Sequence, residues 1–479
     1  YNRLLQTSHE GGVQPKEYLA IYAADRVRNV SAVWMGATLG CTQCHDHKFD
    51  PFTSKDFYAM AAFFADVDEA QHFKIGSNAL PTKRPPEIDV VPRWQRERSK
   101  LGDDLDNSTD EKQTDRVMVT VALNEPRTIR LLPRGNWLDE SGPIIEPAIP
   151  AFLGNVRSND ETRPTRLDLA RWLTTPERGG LMTARVFVNR LWYLFFGTGL
   201  SSSLADFGGQ GDAPVHPELL DRLACEFVES GWDVKHMVKL IVSSRTYQQS
   251  SADSEVLRER DPYNRVYTRQ SRYRLDAEMV RDNALSVSGL LINHVGGPSV
   301  KPYQPAGYYR HLNFPQREYK QDDDSRQWRR GLYVHWQRQF LHPMMKAFDA
   351  PSREECTVAR PRSNNALAAL TLLNDPTFVE AAREFARNTL SKSDSDDARI
   401  DLAFRLATSR KPTEHERTVL ANLLQQNREY YRQHAEEAQE LLSIGIAQSN
   451  MTDRDSAELA SWTMVARAIL NLTEVITRN

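Results

Sequence analysis

The sequence predicts a mainly α, multi-domain helical protein, with a small β-hairpin element between an N-terminal helical domain and a larger C-terminal helical one. Three observations lead there. At 479 residues the chain is too long for one ordinary core. From about residue 165 to the end, apolar side chains recur at helical spacing behind recognisable cap residues. Strand-like alternation is confined to the short stretch from Val117 to Leu131. The expected segments are 1–75, carrying a Cys-x-x-Cys-His motif; 76–160, a linker with the hairpin; 161–390, the large helical domain; and 391–479, its helical extension.

Taken in order, Leu19, Tyr22, Ala23, Val27, Val30 and Trp34 predict one amphipathic helix over 15–35, with Pro15 in its first turn. Gly36 and Gly40 then loosen the chain ahead of Cys41. Asp50-Pro51 stops the chain again, and Thr53-Ser54-Lys55-Asp56 reads as a capping box opening a second helix with Phe57, Ala61, Phe64 and Met60 inward. The segment Cys41–Asp50 is therefore a loop clasped between two helices. Residues 92–116 are charged and read as a solvated connection. Val117, Val119, Val121 and Leu123 alternate, Asn124-Glu125-Pro126 turns the chain, and Ile129 and Leu131 return, so the expected hairpin pairs these two runs. Further helices are expected at Leu181–Phe196, after His216-Pro217, after Asp233 and after Asp276, then over 364–389, 397–408, 413–441 and 455–477.

Composition narrows the function classes. Hydrophobic residues make up 40% and charged residues 26%, with a formal charge of −3 and the two signs interspersed, so there is no electrostatic footprint for nucleic acid. No apolar run is long enough to span a bilayer. The first residue is Tyr1, and Tyr1-Asn2-Arg3-Leu4-Leu5 reads like mid-domain sequence, so the chain is expected to be a fragment or a mature portion whose upstream part is missing. The four cysteines, Cys41, Cys44, Cys225 and Cys356, are too few for a disulfide framework in a chain this size.

Two of them stand three apart and are followed at once by a histidine. In Cys41-Thr42-Gln43-Cys44-His45 the two-residue spacer matches the separation of the two vinyl groups of a haem, and the adjacent imidazole falls under the iron. The motif therefore points to covalent haem c, with Cys41 and Cys44 as thioether residues, His45 as proximal ligand, and maturation outside the cytoplasm. Three other readings compete. A thioredoxin-like pair expects a βαβ setting. A zinc site would recruit Cys41, Cys44, His45 and His47, four donors within seven residues that do not easily wrap a tetrahedron. A Cys41–Cys44 disulfide would be strained and would leave His45 without a role.

The surrounding residues carry a resemblance. Asn2-Arg3-Leu4-Leu5, Gly11-Gly12-Val13-Gln14-Pro15-Lys16-Glu17-Tyr18-Leu19 and Ala24-Asp25-Arg26-Val27-Arg28-Asn29 lead into Leu39–Cys44 and His45-Asp46-His47-Lys48-Phe49-Asp50-Pro51. Further along stand Val188-Asn189-Arg190, Asp206-Phe207-Gly208, His216–Asp221, Tyr273–Glu278, Phe348–Arg353, Leu372-Leu373-Asn374-Asp375-Pro376 and Leu470–Glu474. Together these resemble the planctomycete-type cytochrome c proteins, large secreted chains joining two domains of unknown function. The resemblance covers nearly the whole chain. It implies that residues 1–75 form the C-terminal half of the first domain, with a signal peptide and often a separate haem domain upstream. It fixes no reaction.

The sixth iron position separates an electron carrier, with Met or His there, from an open haem that reacts with peroxide or oxygen. Met60 and His216 are the distal candidates, with core packing and helix capping as their bland readings; His72 is weaker, and His47 reads as a loop hydrogen bond. Elsewhere Glu278 and Asp282 share a helix face beside Asp276 and Arg281. That face suits paired acid–base carboxylates or a salt-bridged surface using Arg274 and Arg281. Tyr303, Tyr308, Tyr309, Phe314 and Tyr319, with Arg310, His311 and Arg317, would stack on sugar rings or on one another. Cys356, beside Arg353 and Glu354, is expected to be a buried thiol. The resulting expectation is an extracytoplasmic haem c protein that exchanges electrons with a redox partner protein. Its alternatives are a haem-assisted oxidoreductase, a polysaccharide-processing or glycan-binding surface protein, and a non-catalytic scaffold.

Overall fold

The computed structural model describes residues 2–3, 14–70, 85–91, 115–156, 162–312, 318–337, 340–447 and 453–478. It is mainly α, with two small two-stranded antiparallel sheets among the described residues. Its contacts divide the chain into two compact units, Tyr1–Ser244 and Arg245–Asn479.

In the first unit, α1 (Pro15–Val30) begins with proline at its first turn and buries Tyr22, Val27 and Val30. The expected helix over 15–35 does not stay regular: Ser31–Met35 is a π turn, ended by Gly36 at φ 59°. The wider turn carries an extra residue and shifts the helical phase, and Trp34 is 37% exposed. A 3₁₀ turn, Leu39–Gln43, contains the first cysteine, and α2 (Ser54–Ala62) follows behind a complete Thr53–Asp56 capping box. Leu39 and Val27 pack with Phe57, Met60 and Phe63 in one apolar cluster that also takes Trp172. The cysteine loop is thus anchored to the core by Leu39 and to α2 by its cap.

The expected hairpin is corrected. Strand β2 (Asp115–Met118) pairs antiparallel with β1 (Glu87–Val90), Glu87 opposite Met118, and not with the run around Ile129. In the stretch that follows β2 the described residues make single bridges, Val67 with Ala122 and Arg130 with Ile144. Alternation reported the extended backbone, but pairing partners are set by tertiary contacts that a period of two does not encode. Four further helices complete the unit: α3 (Arg166–Thr174), α4 (Leu181–Phe196), α5 (Pro217–Glu229) and α6 (Val234–Val242). Asp233 caps α6 through the amides of Lys235 and His236, as its position predicted.

The second unit opens with α7 (Glu255–Arg260) and β3 (Tyr273–Arg274), and α8 (Ala277–Ser288) follows Asp276. After the short α9 (Pro343–Ala347) the expected helix over 364–389 divides into α10 (Ala366–Asn374) and α11 (Pro376–Lys392). Pro376 has no amide to continue the first helix, and Asp375 instead caps the second through the Thr377 amide. α12 (Asp396–Thr408), α13 (Glu414–Gln433), α14 (Ala435–Ser443), α15 (Asp453–Leu470) and α16 (Thr473–Ile476) close the unit. Strand β4 (Thr477–Arg478) returns to pair with β3. α11 lies at the centre: Phe385 and Ala386 pack in one cluster with Trp462 and Ile469 of α15, while Phe378 and Ala381 join another with Val280 and Ala284 of α8.

Candidate functional site

The cysteine loop puts its reactive groups outward and its structural groups inward. Cys41, Cys44 and His45 are exposed, whereas Thr42, between the two thiols, is buried and donates its hydroxyl to the Leu39 carbonyl at 2.6 Å. The four cysteines, all within the described residues, form no disulfide. The His45 Nδ1 lies 2.7 Å from the Asp46 carbonyl oxygen. A carbonyl only accepts, so Nδ1 carries the proton and donates, and the lone pair sits on Nε2. That is the tautomer a metal-bound imidazole needs, with its far nitrogen held by a backbone acceptor.

His47 has the opposite arrangement. Its Nδ1 accepts from the amides of Phe49 at 3.3 Å and Asp50 at 2.9 Å, so Nε2 carries the proton and faces the Thr38 hydroxyl oxygen at 3.1 Å. With its side chain 3% exposed and both nitrogens engaged, His47 braces the loop and is not placed to ligate. Asp46 accepts from the Ser54 amide at 2.8 Å, so the loop itself helps cap α2.

Five residues that the motif did not reveal hold this loop in place. The Tyr58 hydroxyl donates to the Gln43 carbonyl at 3.0 Å, inside the cysteine spacer. Burial, reinforced by the nearby Cys44, pushes the Tyr58 phenol up to about 12, so it stays a donor. Gly135, at φ +71°, turns against Cys44, and a Cβ there would stand 2.8 Å from the sulfur. Asp50 accepts from the Gly209 amide at 2.7 Å, and a Cβ on Gly208 would meet its carboxylate at 2.5 Å. Phe207 donates its amide to the Gly36 carbonyl at 2.7 Å, so the Asp206-Phe207-Gly208 run closes over the loop from the α4 side. Close backbone approach is the signal that glycines give in a sequence, but a glycine does not name its partner.

The comparisons with known proteins follow the same two segments. The PSD1 profile, a protein of unknown function (DUF1553), matches residues 165–424, more than half of the chain. The chain belongs to the PSD1 family. The PSCyt2 profile, a protein of unknown function (DUF1549), matches residues 1–69 and so contains Cys41–His45. PSCyt2 and PSD1 are the domain pair of the planctomycete-type cytochrome c proteins. No curated protein and no solved structure matches the chain. The PSD1 match crosses the division at residue 244, taking in α3 to α6 as well as most helices of the second unit.

The remaining candidates in this PSD1 chain separate clearly. Met60 is fully buried in the apolar cluster under the loop. His216 is half-buried at the N-terminus of α5, where its carbonyl accepts from Leu220. His72, Phe314 and Arg317 lie outside the described residues. The carboxylates of α8 are salt-bridged: Glu278 meets Arg360 at 2.7 Å, and Asp282 meets Arg330 at 3.5 Å and the expected Arg281 at 4.0 Å while accepting from the Gly331 amide at 2.6 Å. Arg281 is not on a surface at all; it is fully buried and donates to the carbonyls of Gln327 and Arg329. Arg274 pairs instead with Asp349. Tyr303 and Tyr309 are buried, and Tyr309 packs edge-on to Tyr319 at 5.3 Å, so the loop's aromatics pack on one another. Cys356, expected to be buried, is exposed in the irregular segment after α9.

No group of three or more His, Cys, Asp or Glu among the described residues is placed to hold a metal ion, and the two sheets contain no βαβ unit. The donor set at the cysteine loop instead fits haem c: two outward thiols on one turn, an imidazole with a free Nε2, and glycine where the chain passes the second sulfur. No helix among the described residues is long and apolar enough to cross a membrane.

Proposed function

We propose that Cys41 and Cys44 hold a covalent haem c with His45 as its proximal iron ligand, and that the chain exchanges electrons with a redox partner outside the cytoplasm. The observation that carries this is the His45 tautomer, Nδ1–H on the Asp46 carbonyl and Nε2 free beside two exposed thiols. Bound there, the haem would supply a one-electron iron couple. The chain's own part is positional. Leu39 and Thr42 anchor the turn, Tyr58 fixes the spacer carbonyl, and Asp46 and His47 hold the two ends of the loop at α2 and at Thr38. Membership in the cytochrome c domain pair supports both the cofactor and the compartment. Of the two distal candidates, Met60 would have to leave a packed core, a loss of about 2–5 kcal/mol on the scale of large buried side chains, whereas His216 is already half-exposed.

The test is a pyridine haemochrome spectrum of denatured, extracted protein after secretion through a periplasm with haem-maturation machinery. The parent should keep a c-type band through denaturation, and Cys41→Ala with Cys44→Ala should lose it. His45→Ala should abolish the low-spin spectrum. Retention of the band in the double variant, or its absence from the parent, overturns the attachment.

A further inference from the structure

Beside the cysteine loop, α1, α2 and the segment Arg127–Trp137 enclose a cleft of about 350 Å³. That volume lies in the range of small-molecule sites. Its walls are apolar, formed among others by Leu19, Ala23, Phe57 and Phe64, with Trp137 at one side. Its floor is cationic, formed by Arg26, Arg127 and Arg130.

The three guanidiniums are unequally answered. Arg26 is buried against Glu69, and its Nε has no partner. Arg127 donates to the carbonyls of Val67 and Phe64, and Arg130 to that of Gly142. Among the described residues neither of these two meets a carboxylate at ion-pair distance. Burial holds the Arg127 guanidinium below its ordinary range, with Glu69, and more weakly Asp66 and Asp68, opposing the shift and Arg26 adding to it. Lys16 and Glu140, also lining the cleft, are exposed and satisfy each other at 3.0 Å. Arg127 and Arg130 are half-buried and held by carbonyls, and an anionic group entering the cleft would answer their charge more strongly than a carbonyl does.

We propose that this cleft binds a small amphipathic carboxylate, its flat apolar body against Phe57, Phe64 and Trp137 and its anionic head on Arg127 and Arg130. An apolar wall alone would admit any hydrophobic molecule. The guanidinium floor selects the carboxylate, because planar forks match its two oxygens. The site shares only Gln43 and Tyr58 with the cysteine loop and does not depend on haem attachment.

Isothermal titration of 1-naphthoate into the full secreted chain tests this directly, with 1-naphthalenemethanol as the neutral comparison. The expected result is saturable binding of the carboxylate, with the alcohol about tenfold weaker or worse, the scale of a lost charge-assisted hydrogen bond. Arg130→Gln, at a half-exposed position, should weaken naphthoate by a similar factor with an unchanged circular dichroism melt. Ala23→Trp, which fills the cleft, should remove binding. Absence of saturable heat with the parent overturns the proposal. So does equal affinity for the alcohol, or unchanged binding in Arg130→Gln.

Discussion

Gly135 occupies a left-handed conformation at φ +71° with the Cys44 sulfur where its Cβ would be. Two penalties therefore fall on any substitution there: backbone strain, and displacement of the sulfur that the proposed haem attachment would use. Gly135→Ala should lower unfolding stability by about 1–3 kcal/mol and cut the fraction of chains that retain haem through denaturation. Urea unfolding and haem staining per mole of protein read the two effects separately; an unchanged stain would mean that the turn does not govern Cys44. The two histidines of the loop show why residue type alone does not assign a role. His45 and His47 are two positions apart, yet one holds a backbone carbonyl and keeps Nε2 free, while the other spends both nitrogens inside the loop.

At the scale of elements, the loop and α2 stabilise each other. Thr53 accepts from the Asp56 amide at 3.2 Å, Asp56 accepts back from the Thr53 amide at 2.8 Å, and Asp46 satisfies the Ser54 amide. These bonds answer amides that a helix start leaves open. Thr53→Ala should cost about 1 kcal/mol, the usual worth of such a cap, measured as a shift in urea midpoint at unchanged slope. A shift near zero would mean that Asp46 and Asp56 suffice to order the end of the loop. The break at Asp375-Pro376 shows the same chemistry in the second unit, where one residue pair ends α10 and starts α11.

Across the whole molecule, stability should depend on pH through His342. It is buried with its Nε2 on the Tyr303 carbonyl at 2.7 Å, and burial holds its pKa down to about 4. A histidine with a depressed folded value binds its proton more readily in the unfolded chain. Stability is therefore lost as pH falls through the window from the unfolded value near 6.5 to about 4, and is flat below both. His342→Gln should lose less stability over that window than the parent, by on the order of 1–3 kcal/mol in urea unfolding at the two ends. Equal losses would place the titration elsewhere, and not at Asp375, where burial raises the carboxyl to about 6 and stability is lost as pH rises instead. The sequence by itself determined the helical class, most helix starts, the Thr53 capping box and a loop carrying Cys41, Cys44 and His45 between two helices, because periodicity, cap residues and a five-residue motif are local properties. Only the tertiary structure decided which strand pairs with β2, that Arg281 is buried, that Cys356 is exposed, and that Gly135, Tyr58 and Asp206–Gly208 converge on the loop. Those facts rest on contacts between residues far apart in the chain, whose partners no local pattern encodes.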